Sequence, residues 1–405
     1  MTVTARTPGP VLLVCVITLL VMFAPMTIDM YLPALPTMAA NLGSDAETLR
    51  RTLSVYILGF GAAQIVYGPL SDAAGRRPAL FAACALYAAA SVGCALAESA
   101  STLIVWRFVE ALGAAGGPVV GRAVVRDFYA REKAASVLSW VATVMAVAPV
   151  AAPALGGAVV MVFDWRAIFW ILAGFSVAAL LAVAFLLPES NTSRDIRALR
   201  PATFFGKYRT LVASRSFLGF GLGAMFLFNG LFAFFTQGPF ILVDQMGLTP
   251  VEFGFAFGAV SLPIILGAQY AARRVVKVGL ERICRAGTLM AAGAGVWVLV
   301  AWLVGWWTPL TLLGGIMVYF AAMGLAQPVL QAGAISPFPR FAGAASSLVG
   351  VGQYFAAGGM ALAVDLLPLP AGLKLSALLA SGGLCAAASF WWLVWRPWHA
   401  GAATA

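Results

Sequence analysis

The feature that most constrains this chain is a run of apolar segments repeated from end to end. Stretches of about 20 predominantly apolar residues, the length a helix needs to cross a bilayer, follow one another with only short polar segments between them. Of the 405 residues, 62% are hydrophobic and 10% are charged, against about 25% charged in a soluble domain. A water-facing surface would be starved of polar cover. The expectation is an all-α membrane protein.

The apolar runs place spanning helices at 10–38, 49–70, 78–97, 102–125, 135–162 and 166–188, then at 216–243, 251–272, 283–305, 308–330, 343–366 and 373–395. This divides the chain into a six-helix bundle over 1–188, a polar linker over 189–215 and a second six-helix bundle over 216–405. The apolar run from Val11 passes Met30 before reaching Asn41, too long for the core of a cleavable signal, so it reads as the first spanning helix.

Basic residues in short loops set orientation. With a cytoplasmic N-terminus, the inward segments hold Arg6, Arg76, Arg77, Arg122, Arg126, Arg131, Lys133, Arg194, Arg197, Arg200, Lys207, Arg209, Arg215, Arg273, Arg274, Lys277, Arg282, Arg285, Arg340 and Arg396. The outward segments hold only Arg50, Arg51, Arg166 and Lys374, while Arg107 lies within a helix. Both termini are therefore expected inside. The net charge of +10 is a topological signal on this reading, with no call for nucleic acid.

The same composition narrows the chemistry. Cys15, Cys84, Cys94, Cys284 and Cys385 all sit in apolar runs and read as buried small hydrophobes. The one histidine, His399, is in the C-terminal tail. Without a second histidine, an acidic metal cluster or a nucleotide loop, a membrane-embedded enzyme lacks a constellation to work with, and neither metal nor cofactor is expected.

Four segments carry a resemblance. Gly68-Pro69-Leu70-Ser71-Asp72-Ala73-Ala74-Gly75-Arg76-Arg77-Pro78 follows the second helix, with a degenerate echo at 271–282 after the eighth. Gly68 and Gly75 permit close approach and a tight turn, Asp72 can pair with neighbouring cations, and Asp127 is a candidate partner for Arg76 and Arg77. The segment resembles the loop motif of the major facilitator superfamily, whose fold is twelve transmembrane helices in two pseudo-symmetric six-helix bundles. The resemblance implies that this cluster latches one conformation. A basic loop that merely fixes orientation would not need the glycine–aspartate–glycine frame.

Asp29-Met30-Tyr31-Leu32-Pro33-Ala34-Leu35-Pro36 resembles the helix-one signature of the bicyclomycin/chloramphenicol-resistance (Bcr/CflA) type of drug:proton antiporter. A carboxylate at bilayer depth is costly unless protonated, paired or facing water, so Asp29 is a functional candidate. Removal from water favours the neutral form of an acid, as a reversible proton carrier requires. The alternative is an acid snorkelling to the interface. Trp106-Arg107-Phe108-Val109-Glu110-Ala111-Leu112-Gly113 is similar to the family's helix-four motif. Arg107 and Glu110, three residues apart, share a helical face. The family usually has glutamine where this chain has Glu110, which either neutralises Arg107 or adds a second titratable carboxylate. Around Pro149, Pro153, Gly156 and Gly157, helix five resembles the antiporter motif, with Ala152 replacing its first glycine. Proline bends a helix and small residues admit neighbours.

A cavity for an amphipathic molecule needs apolar walls and a few polar groups. Met26, Met30, Tyr31 and Tyr56 are candidates in the first half, with Asn229, Phe232, Phe235, Gln237, Gln327, Gln353 and Tyr354 in the second. A phenylalanine stripe alone could equally be lipid-facing. The resemblance implies a monomeric, proton-driven exporter of amphipathic small molecules such as antibiotics, phenicols among them. It would sit in a bacterial inner membrane, work by alternating access and use the proton gradient in place of a cofactor. An exporter or symporter of an endogenous metabolite is the alternative in the same fold.

Overall fold

The computed structural model describes residues 9–145, 147–191, 194, 209–338 and 342–396. Arg6, Arg197, Arg200, Lys207, Arg340, His399 and most of the expected linker lie outside them. Among the described residues the chain is helical throughout, with no strand. Among the described residues ten helices are long and apolar enough to cross a membrane, or eleven when one bent pair is taken as a single span.

The first expected helix is broken. It comprises α1 (Pro10–Val21), α2 (Phe23–Asp29), a 3-10 turn (Leu32–Ala34) and α3 (Leu35–Asn41), with a 41° bend between the first piece and the rest. Pro25, Pro33 and Pro36 lack the N–H that a continuous helix would need, which accounts for the interruptions. Next come α4 (Ala46–Ala74), α5 (Arg76–Ala95), α6 (Ala100–Ala114), α7 (Gly116–Phe128), α8 (Arg131–Met145), α9 (Ala148–Val162) and α10 (Arg166–Leu186). The helix expected over 135–162 is thus two pieces, each too short to count as a full span. Pro149 lies in the first turn of α9, where a missing N–H costs nothing, while Pro153 lies inside it. The second half contains α11 (Arg215–Pro239), continued by a π-helical turn (Phe240–Gln245), then α12 (Pro250–Val278), α13 (Leu280–Leu303), α14 (Pro309–Ile335), α15 (Ala342–Asp365) and α16 (Ala371–Phe390).

Helix starts follow capping chemistry. The Asp45 carboxylate accepts the Thr48 N–H at 2.7 Å, and that bond holds its carboxyl below the usual range. Ser99, Ser214 and Thr308 cap α6, α11 and α14 in the same way.

The chain divides into two compact units, Met1–Arg200 with Pro250–Gly254, and Pro201–Thr249 with Phe255–Ala405. In the first, Phe23 stacks on Tyr87 at 4.5 Å and Trp165 meets Phe169 edge-on at 6.0 Å. In the second, Phe234 stacks on Phe257 at 5.5 Å and meets Phe320 edge-on at 5.8 Å. Large apolar side chains such as Phe185, Leu266 and Leu310 point outward. That is the expected surface of a bundle solvated by lipid.

Glycine matters at a close approach between α9 and the broken first helix. A Cβ on Gly156 would collide with the carbonyl of Met30, which is backbone and cannot swing away. Gly68 differs from the sequence expectation of tight contact. Among the described residues nothing lies within 4 Å of a Cβ placed there. Gly156→Val should therefore destabilise the protein by about 1–3 kcal/mol or more through overpacking. Gly68→Ala should stay within about 0.5 kcal/mol of the parent. Thermal unfolding of the purified variants in detergent checks both, and equal midpoints for the two variants would contradict the assignment.

Candidate functional site

In the first unit, Arg107 of α6 is fully buried. Its guanidinium carbon lies 4.4 Å from the ring centroids of both Tyr31 and Tyr56, so two aromatic faces sandwich the cation. Nη1 donates to Glu110 Oε2 at 2.7 Å and lies 3.5 Å from the Thr27 carbonyl. Nε and Nη2 have no hydrogen-bond partner among the described residues. Glu110, equally buried, accepts the Ser91 hydroxyl at 2.8 Å on its other oxygen, and Cys94 Sγ lies 4.0 Å from Oε2. The Tyr31 hydroxyl pairs with Thr52 at 2.7 Å, and Thr27 pairs with Tyr87. The spacing of three residues on α6 makes the ion pair, and α2, α4 and α5 supply the enclosing groups. Removing one partner of a buried ion pair typically costs about 3–5 kcal/mol.

Asp29 ends α2 and is buried, at 3% exposure. Among the described residues no hydrogen bond or ion pair joins its carboxyl to Arg107 or Glu110. Of the three groups expected to act together, the structure unites Arg107 and Glu110 and leaves Asp29 apart. Met30 is buried and Met26 half-buried beside it in sequence. Tyr31 and Tyr56, expected as cavity wall, also clamp Arg107.

The second constellation joins α4 to α5. Gly75 adopts φ +109°, a left-handed-side conformation that favours glycine and lets α5 begin at Arg76. Arg76 pairs with Asp72 across this turn and, through Nε, with Asp127 Oδ2 at 3.0 Å. Arg77 donates to the carbonyls of Val183 and Ala184 on α10. The backbone N–H groups of Arg76 and Arg77 donate to the two oxygens of Glu189, at 2.9 and 3.1 Å. A carboxylate at a helix N-terminus satisfies unpaired amides and complements the helix dipole. Asn191 Nδ2 donates to the carbonyls of Ser71 (3.3 Å) and Asp72 (3.0 Å) at the end of α4. Ser190 donates to Asp127 at 2.9 Å. The short segment after α10 thus ties both helix ends. Sequence reasoning missed Glu189 and Asn191, and the available signal was an acid and an amide just past an apolar run.

The antiporter-like residues lie on α9, with Pro153, Gly156 and Gly157 buried and Pro149 partly so.

In the second unit, Asn229, Gln237, Gln327 and Gln353 are all buried. Asn229 Oδ1, Gln237 Oε1, Gln353 Nε2 and both polar atoms of Gln327 have no hydrogen-bond partner among the described residues. Phe232 is buried and Phe235 half-buried, with ring centroids 6.3 Å apart, and Tyr354 meets Phe228 edge-on at 5.4 Å. Gln237 Nε2 donates to Asp365 Oδ1 at 3.2 Å, and Lys374 Nζ donates to the Asp365 carbonyl at 3.4 Å. Asp365 and Lys374 are each 1% exposed. Sequence reasoning passed over Asp365 and treated Lys374 as a loop charge. Among the described residues no three His, Cys, Asp or Glu side chains gather as a metal site.

The chain matches the Major Facilitator Superfamily over residues 17–362. It is 31% identical over 352 residues to a chloramphenicol resistance protein of Pseudomonas aeruginosa, covering 84% of this chain and 79% of that protein. It is 28% identical over 334 residues to a bicyclomycin resistance protein homolog of Haemophilus influenzae, covering 82% and 83%. Its fold is similar to a peptide transporter, POT, with TM-score 0.76 at 15% identity over 96% of this chain and 94% of that one. A D-xylose–proton symporter gives 0.73 at 15% identity over 95% and 97%. The chain belongs to the major facilitator superfamily, among relatives of the bicyclomycin- and chloramphenicol-resistance type, and is a multi-pass membrane transporter rather than an enzyme.

Proposed function

We propose that this transporter exports amphipathic small molecules, antibiotics such as phenicols among them, in exchange for protons. It works as a monomer by alternating access between its two halves, and the proton gradient takes the place of a cofactor. It lies in the bacterial inner membrane with both termini cytoplasmic. The observation that carries the reading is a carboxyl group, Asp29, buried in an apolar span and held outside the Arg107–Glu110 ion pair. An acid at bilayer depth without a fixed counter-charge is stable when neutral and is driven to release its proton when water or a cation reaches it. The names of the relatives, resistance proteins for bicyclomycin and chloramphenicol, support the substrate class.

The roles divide by geometry. Asp29 carries the proton. Glu110 neutralises Arg107, since one oxygen is bound to the guanidinium and the other to Ser91. The ion pairs of Arg76 with Asp72 and Asp127, with Arg77 beside them, latch one state of the cycle. Asn229, Gln237, Gln327 and Gln353 meet polar groups of the substrate between the apolar faces of Phe232, Phe235 and Tyr354.

Two outcomes follow for everted vesicles loaded with a pH gradient. Asp29→Asn should abolish chloramphenicol-dependent dissipation of the gradient while the protein remains in the membrane at the parent level. Undiminished coupled export by that variant rejects the role of Asp29. Glu110→Gln should keep proton coupling, because glutamine still accepts from Arg107, while lowering thermal stability as a buried cation loses its counter-charge. A Glu110→Gln protein that binds substrate yet no longer moves protons would make Glu110 the carrier instead.

A further inference from the structure

Asp365 and Lys374 are buried charges that none of the roles above uses. The first unit holds a counterpart at the same place in its half, just past α9 and at the start of α10. There Asp164 and Arg166 pair at 3.0 Å with their side chains 48% and 35% exposed. The second-unit groups differ in burial and in what they touch. Asp365 closes α15, Lys374 lies in the first turn of α16, and both are 1% exposed. Lys374 Nζ donates to the Asp365 backbone carbonyl at 3.4 Å, which sets a cationic side chain beside this acid.

Asp365 also bonds a neighbouring amide. Gln237 can turn either its NH2 or its oxygen toward a partner, and the two ends look alike in shape. It is Nε2 that donates to Asp365 Oδ1, at 3.2 Å. The opposite end, Oε1, is buried and has no hydrogen-bond partner among the described residues. A buried acceptor left open in this way is costly until a donor reaches it.

We propose that Asp365 is a positioning residue for substrate: its carboxyl group, with Lys374 beside it, locks the Gln237 carboxamide so that Oε1 is presented to a hydroxyl or N–H donor of the transported molecule. The inference rests on Gln237 being a substrate contact. It adds that this contact accepts a hydrogen bond, and that the acid acts only through the amide.

The test uses full-length protein in proteoliposomes with radiolabelled chloramphenicol as the probe. Asp365→Asn combined with Lys374→Met removes both charges together, so no lone charge is left buried. This pair should raise KM about five- to tenfold, the effect of one lost hydrogen bond, with maximal rate near the parent's. Gln237→Leu should raise KM to the same extent, and adding the Asp365/Lys374 changes to Gln237→Leu should raise it no further. A purely structural role would lower maximal rate and recovered protein, and would add to the Gln237→Leu effect, which overturns the proposal. An unchanged KM in Gln237→Leu, with the parent transporting normally, overturns it by removing Gln237 from the substrate site while leaving the efflux reading intact. A parent that does not move chloramphenicol contradicts the phenicol reading and this proposal together.

Discussion

The interior of the first unit is organised around one charge that cannot be discarded. Arg107 keeps its proton under all physiological conditions, yet it sits at zero exposure in a helix made for lipid. Everything close to it answers that demand. Glu110 supplies the counter-charge, Tyr31 and Tyr56 supply two aromatic faces, and the Thr27 carbonyl lies on the remaining side. Ser91 then holds the far oxygen of Glu110. Because those partners come from α2, α4, α5 and α6, a single cation ties the four elements together.

That closure gives Asp29 its meaning. A carboxylate beside an open guanidinium would form a stable pair and lose its reason to change protonation. In this chain Glu110 already occupies that place, and Asp29 is left in the apolar interior. On the proposed mechanism, proton carriage and charge compensation are thus divided between two acids. On that proposal Glu110 compensates Arg107 and is not a second carrier.

Much of this was legible in the sequence, because the bilayer imposes a simple rule on composition. The apolar runs located the spans, and the spacing of Arg107 and Glu110 placed them on one face. The glycine–aspartate–glycine frame marked the α4–α5 turn, where Gly75 has its positive φ and Arg76 meets Asp72 and Asp127. What was not legible depended on partners distant in sequence or on local backbone breaks. The division of the first span into α1, α2 and α3 follows from prolines whose individual effects a hydropathy window averages away. Glu189 caps α5 from more than a hundred residues further along the chain. Asp365 escaped notice and Lys374 was read as an outward loop charge, because the bond that joins Asp365 to Gln237 of α11 spans more than a hundred residues.

The claim on which the mechanism depends is that substrate and proton compete through Asp29. The most direct measurement is proton release from detergent-solubilised protein in weakly buffered solution on addition of chloramphenicol. The mechanism predicts release from the parent and from Glu110→Gln, and none from Asp29→Asn. Release of equal amounts by the parent and by Asp29→Asn would contradict it.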